Sequence, residues 1–140
     1  KLISLCFYFT EELVFGSHGG QKAVLVDEGK VQLDDPVEKY LPEFKKLRTA
    51  DGKPALITIR HLLTHTSGMG EITADQSRTC KTLSDVIPLY VAKPVAFTPG
   101  TKWVYCQSGI NTGGRIAEVV TGEPLEKLLQ RRLFGFGPYR

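Results

Sequence analysis

Three places in this chain carry residue types that could do chemistry. Ser17-His18-Gly19-Gly20 sets a hydroxyl beside an imidazole, followed by a glycine pair that could cradle an anion. His61 and His65 stand four residues apart, which puts two imidazoles on one helix face within reach of a metal ion. Cys106 offers a thiol that would attack carbonyl carbon if it were ionised. Spacing argues against each. No Gly-x-Ser-x-Gly surrounds Ser17, and Lys22 is not followed by Ser or Thr as a phosphate loop requires. That segment reads as a turn-rich loop. The two histidines lack the intervening glutamate of a His-Glu-x-x-His site and have no evident third ligand, so satisfied, half-buried imidazoles are expected and no metal. Alternation along an extended stretch turns Cys106 away from its neighbour Tyr105, so a buried, inert thiol is expected there.

The elements that must position such groups can be read from composition and pattern. Hydrophobic residues at 41% and charged residues at 24% describe an ordinary globular chain, which excludes a disordered one. Eighteen basic against 15 acidic residues leave a net charge of +3, too slight and too scattered for nucleic acid; Lys45-Lys46-Leu47-Arg48 reads as a solvated face. No apolar run approaches the ~18 residues of a membrane span. Cys6, Cys80 and Cys106 make no even disulfide framework, so the compartment stays open. Lys1 and the apolar run Leu2 to Phe9 fit the start of a signal peptide no better than a buried strand.

Residues 1–20 differ in character from the rest of the chain. From Gln21 a helix is expected through Leu25, closing at Gly29. Val31 to Leu33 is a short extended link into a turn that Asp35 can cap and Pro36 can open, carrying Val37, Tyr40 and Leu41 before Pro42 stops it. Residues 45–54 read as a surface loop turning at Asp51-Gly52. Thr58 caps a short helix through Leu62 and Leu63, and residues 69–81 have no period and read as loop. Leu83, Val86, Ile87 and Tyr90 recur at helical spacing behind Thr82 or Ser84. After the turn Phe97 to Gly100, Trp103 to Tyr105 is extended, Ile110 to Val120 helical, and Leu125, Leu128, Leu129 and Leu133 form a last apolar stripe. Four or five helices with little strand signal predict a mainly α chain whose apolar faces want a sheet beside them.

Four ordered segments carry a resemblance. They are Leu25 to Val37 with Tyr40-Leu41-Pro42, Ile57 to Gly68, Phe97-Thr98-Pro99-Gly100, and Tyr105 to Asn111 running on through Val120-Thr121-Gly122. Together they resemble the serine β-lactamase-related superfamily, which takes in class C β-lactamases, penicillin-binding proteins, D-aminopeptidases and β-lactamase-like esterases. The resemblance implies that the chain is the helical portion of the α/β β-lactamase/transpeptidase-like fold, with the flanking sheet largely missing. It implies one partial domain over 1–140, divided into a divergent 1–20, a family-like 21–133 and a divergent tail 134–140. It also implies acyl transfer through a Ser-x-x-Lys nucleophile, assisted by the tyrosine of a Tyr-x-Asn motif and by a Lys-Thr-Gly or His-x-Gly strand.

Tyr105-Cys106-Gln107 occupies the Tyr-x-Asn position, with Gln107 where asparagine is usual. The resemblance thus makes Tyr105 the catalytic candidate and Gln107 a substrate contact, one methylene longer than the asparagine it replaces. Trp103 shares Tyr105's side of the stretch and could line an acyl pocket, although packing into the core is the stronger reading. In the family the positions of His61 and His65 look structural. The nucleophile is another matter. It would fall near Glu12, with its lysine near Phe15, and none of the six serines is followed by lysine three residues on. No Lys-Thr-Gly or His-x-Gly follows Tyr105. A tyrosine without a cation beside it is only about one part in a thousand phenolate at pH 7. Lys102, three residues before Tyr105, is expected on the opposite face.

The expectation is therefore a β-lactamase-related serine hydrolase fragment. Its parent class acts on a small-molecule or peptide acyl substrate without a cofactor, and the chain as it stands is inactive, truncated or frame-shifted at its edges. The competing expectation is a non-catalytic pseudoenzyme that binds ligands in the Tyr105/Gln107 cleft.

Overall fold

A computed structural model describes residues 24–132, so the expectations for residues 1–20, Leu133 and the tail 134–140 lie outside the described residues. The described chain opens with α1 (Val24–Asp27). The amides of Gly29 and Lys30 then return to the carbonyls of Val26 and Leu25 and reverse the chain, which buries Leu25 and Val31.

The Asp34-Asp35-Pro36 turn departs from expectation in two ways. Asp35 does not cap the following 3-10 turn (Val37–Lys39), whose flanking residue is Pro36 with no side-chain cap. Its carboxylate instead accepts from the Gln32 amide, Lys39 and the Tyr40 hydroxyl. The turn starts one residue too late for an Asp35 cap, and the Tyr40 hydroxyl lies within reach. Pro42 does not stop the chain either. It opens a second 3-10 turn (Pro42–Lys46), because a first-position proline gives up no helical hydrogen bond. Both turns place apolar side chains in the core: Val37, Leu41 and Phe44 are buried.

α2 (Ile59–Leu63) begins where Thr58 predicts. The Thr58 hydroxyl accepts from the His61 amide at 3.3 Å, and His61 Nδ1 accepts from the Thr58 amide at 3.2 Å. Histidine here does the reciprocal capping usually left to Glu or Gln. The bond requires Nδ1 to be unprotonated. Burial, chiefly, holds the His61 pKa below its ordinary value; Asp34 pulls it upward and Arg60 pushes it down. The unfolded chain therefore takes up a proton near pH 6.5 that the folded chain refuses, and stability present above that pH is lost as pH falls through it. Urea midpoints between pH 7.5 and 5.5 are expected to fall in the parent and to fall less in His61→Asn, which keeps a capping acceptor without titrating. Equal slopes would contradict this role.

Residues 69–81 are not all loop. α3 (Ala74–Thr79) starts on a capping box in which the Thr73 hydroxyl accepts from the Gln76 main-chain amide and Gln76 Oε1 accepts from the Thr73 amide. It buries no residue, so it leaves no apolar period to read. α4 (Leu83–Val91) comes next behind Thr82, with the Asp85 carboxylate accepting from the amides of Lys81 and Thr82, and it buries Leu83, Val86, Ile87 and Tyr90.

α5 (Gln107–Thr121) is the central element and packs against α2, α4 and the last helix, α6 (Leu125–Arg132). Its buried face includes Ser108, Gly109, Asn111, Thr112, Gly113 and Gly114, small or polar rather than apolar. That composition lets backbones approach: a Cβ on Gly109 would lie 3.0 Å from the Leu62 carbonyl of α2. It also explains why an apolar period locates the helix only from Ile110. Leu125, Leu128 and Leu129 of α6 close the core. Among the described residues no strand forms; the extended pieces meet only in three isolated bridges, Pro36 with Thr58, Arg48 with Pro54, and Thr49 with Val95.

Candidate functional site

The segment that carries the expected site lies between the Thr98–Thr101 turn and the start of α5. Expected alternation along it fails. Trp103, Val104 and Tyr105 are all exposed, and only Cys106 turns inward. No strand flanks the segment among the described residues, so there are no two sheet faces to sort successive side chains. Trp103, for which core packing is the stronger sequence reading, is 67% exposed and sets its ring against the edge of His65 with centroids 5.9 Å apart. Cys106 is buried, its Sγ 3.7 Å from the Ser67 hydroxyl.

Tyr105 and Gln107 line one groove of about 380 Å³, together with Glu71, Ser77, Tyr90 and Asn111; Trp103 is not among its lining residues. The polar groups form a directed chain. The Tyr105 hydroxyl faces Gln107 Oε1 at 3.5 Å, the long limit for a hydrogen bond. Gln107 Nε2 donates to Asn111 Oδ1 at 3.1 Å, and Asn111 Nδ2 donates to the Tyr90 hydroxyl at 2.8 Å. Burial, chiefly, holds the Tyr90 pKa up at about 12, so at neutral pH it remains a phenol that accepts from Asn111. Each carboxamide is thereby oriented: Gln107 spends its donor on Asn111 and turns its oxygen toward Tyr105. The Glu71 carboxylate, also lining the groove, accepts from the amide and the hydroxyl of Ser108 in the first turn of α5, at 3.1 and 3.3 Å.

Sequence reasoning points at Tyr105 and Gln107 and misses the rest of the groove. Asn111 has a usable signal, since it stands four residues after Gln107 on one helix face. Tyr90 and Glu71 come from separate elements and have none. His65 reads from sequence as a satisfied imidazole, and its surroundings are specific. Its backbone is left-handed at φ 57, its Nδ1 accepts from the Cys106 amide at 3.4 Å, and its ring lies 4.8 Å from that of Tyr105. His61, in its capping box, also lies under Gly100: a Cβ there would meet His61 Nε2 at 3.1 Å. Among the described residues no three His, Cys, Asp or Glu side chains gather where they could hold one metal ion, and no helix is long and apolar enough to cross a membrane.

Chemically the groove offers two phenols, two locked carboxamides, a carboxylate and the hydroxyl of Ser77. That set can bind and polarise a ligand. Ser77 is followed at the third position by Cys80, so it has no lysine one helical turn on.

A family model described as Beta-lactamase matches residues 23–137. The chain is 37% identical over 115 residues to the esterase EstB of Burkholderia gladioli, a match covering 72% of this chain and 29% of that protein. It is 38% identical over 112 residues to penicillin-binding protein 4 of Amycolatopsis lactamdurans, covering 79% of this chain and 29% of that one. Among solved structures it is similar to EstCE1, a hydrolase with promiscuous acyltransferase activity, with a TM-score of 0.68 and 28% identity over 79% of this chain and 32% of that one. The chain thus spans about 29% of the length of these two relatives, and its described helices correspond to the helical portion of the fold they share.

Proposed function

Because the chain belongs to the beta-lactamase family, we propose that it carries the tyrosine side of an acyl-transfer site and no working nucleophile. In the parent reaction a serine oxygen bonds to the carbonyl carbon of an ester, amide or β-lactam. The leaving group departs with a proton, and water then releases the acid and restores the serine. Tyr105 is the group suited to manage that proton, and Gln107 the group suited to contact the acyl chain. The observation that carries this reading is the Tyr105-Gln107-Asn111-Tyr90 chain along one groove.

The other half of the chemistry has no counterpart in these 140 residues, since no serine is followed by lysine at the third position. Helical spacing is what would let the amine reach the hydroxyl. Hydrolysis of p-nitrophenyl butyrate by the 140-residue chain is therefore expected to match the buffer rate, and Tyr105→Phe to leave it unchanged. Saturable turnover that falls with Tyr105→Phe would overturn the reading and require a nucleophile among the serines present.

A non-catalytic binding role is the second reading, favoured by the size of the same groove and by the polar side chains of Tyr105, Gln107 and Asn111 that line it. Saturable binding of a cell-wall peptide without turnover would support it. A broad panel of acyl compounds and peptides giving no binding would remove it.

A further inference from the structure

We infer that His65 is the positioning residue of this groove, holding the Trp103–Cys106 segment so that Tyr105 meets Gln107. The inference rests on the reading of Tyr105 as the site's tyrosine. Two hydrogen bonds flank Tyr105 and both end on His65: its main-chain oxygen accepts from the Val104 amide at 2.9 Å, and its Nδ1 accepts from the Cys106 amide at 3.4 Å. Between them the imidazole lies against the Tyr105 ring, centroids 4.8 Å apart and planes tilted by 37°. One residue thus fixes the backbone on both sides of Tyr105 and one face of its ring.

The backbone of His65 makes this more than packing. It is the one non-glycine residue with positive φ among those described, and it is 8% exposed. Glycine would make the same turn at lower steric cost, as it does at nearby Gly68 and Gly100. Histidine tolerates this conformation better than most side chains, and here its ring meets both the Cys106 amide and the Tyr105 ring. From this left-handed turn the residue's carbonyl and its ring both bear on the same three-residue stretch. Among the described residues no strand pairs with that stretch.

Three variants of the full 140-residue chain separate the ring from the turn. His65→Gly keeps the backbone and deletes the ring. His65→Asn tolerates positive φ and carries an oxygen where Nδ1 was. His65→Gln carries its acceptor one bond farther out. In residue-resolved amide exchange, His65→Gly is expected to cut protection of the Cys106 amide by about tenfold while leaving Val104, bonded to the main chain, within about threefold. The nuclear Overhauser contact between the Tyr105 ring and the Gln107 side chain is expected to vanish with it. His65→Asn should recover the Cys106 protection, which needs only the acceptor, and His65→Gln should not.

Unchanged Cys106 exchange in His65→Gly, or an Asn variant no better than the Gly variant, would overturn the assignment. If His65→Gly does not fold, the Asn and Gln pair decides, and equal behaviour of the two overturns it. Ester turnover by the parent chain would sink the functional reading and leave these exchange results standing, so the two failures are separable.

Discussion

Gly68→Ala is expected to destabilise the chain by about 3 kcal/mol, through left-handed strain and a backbone collision acting together. Gly68 sits at φ 74, and a Cβ built there would lie 2.9 Å from the Phe97 carbonyl oxygen. That oxygen belongs to the main chain and cannot rotate away. Nor can the two segments part freely, because the Ala96 amide donates to the Gly68 carbonyl at 2.8 Å. Gly29→Ala supplies the control: its φ is 71, and nothing lies within 4 Å of its Cβ position. That variant carries the conformational penalty alone, about 1–2 kcal/mol. Urea unfolding at constant slope measures both. Gly68→Ala no worse than Gly29→Ala would mean that the turn beneath the site yields more easily than its contacts imply.

Asn111→Ala is expected to cost a similar amount, about 3 kcal/mol, for a different reason. Asn111 is 1% exposed and satisfies two partners, the Tyr90 hydroxyl and the Gln107 carboxamide. Alanine leaves the buried hydroxyl without its donor and opens a space beside it. Tyr90→Phe removes that hydroxyl, so the double variant should lose less than the sum of the singles, by about 1 kcal/mol. Additive losses would mean that the two side chains are adjacent without being coupled. The same substitution frees the Gln107 amide, whose oxygen Asn111 now turns toward Tyr105. Groove geometry and stability thus share one residue.

Where local chemistry decides structure, the sequence is readable. Thr58, Thr82 and Gly122 mark helix ends because caps act over three or four residues. α3 escapes because it buries nothing, although its Thr73-x-x-Gln76 capping box is present to be read. The first turn of α5 escapes because serine, glycine and asparagine fill its buried face. Tyr105 and Gln107 are reachable only through resemblance, since a tyrosine two residues before a glutamine has no chemistry of its own. Their partners Tyr90, Glu71 and His65 come from three other segments, and only the packing of α2 and α4 on α5 brings them near. Trp103 misleads because aromatic residues usually seek the core, and here the stretch that carries it runs across the surface.

The measurement that bears most directly on the central claim is the intact mass of the 140-residue chain after exposure to a fluorophosphonate probe. If, as proposed, the 140-residue chain carries the tyrosine side of the site and no activated serine, it should return an unmodified mass after saturating exposure. A single stoichiometric adduct, mapped to Ser77 in the groove or to Ser17, and blocked by prior incubation with an ester substrate, would contradict the account. It would show that the chain activates a serine without a lysine three residues away.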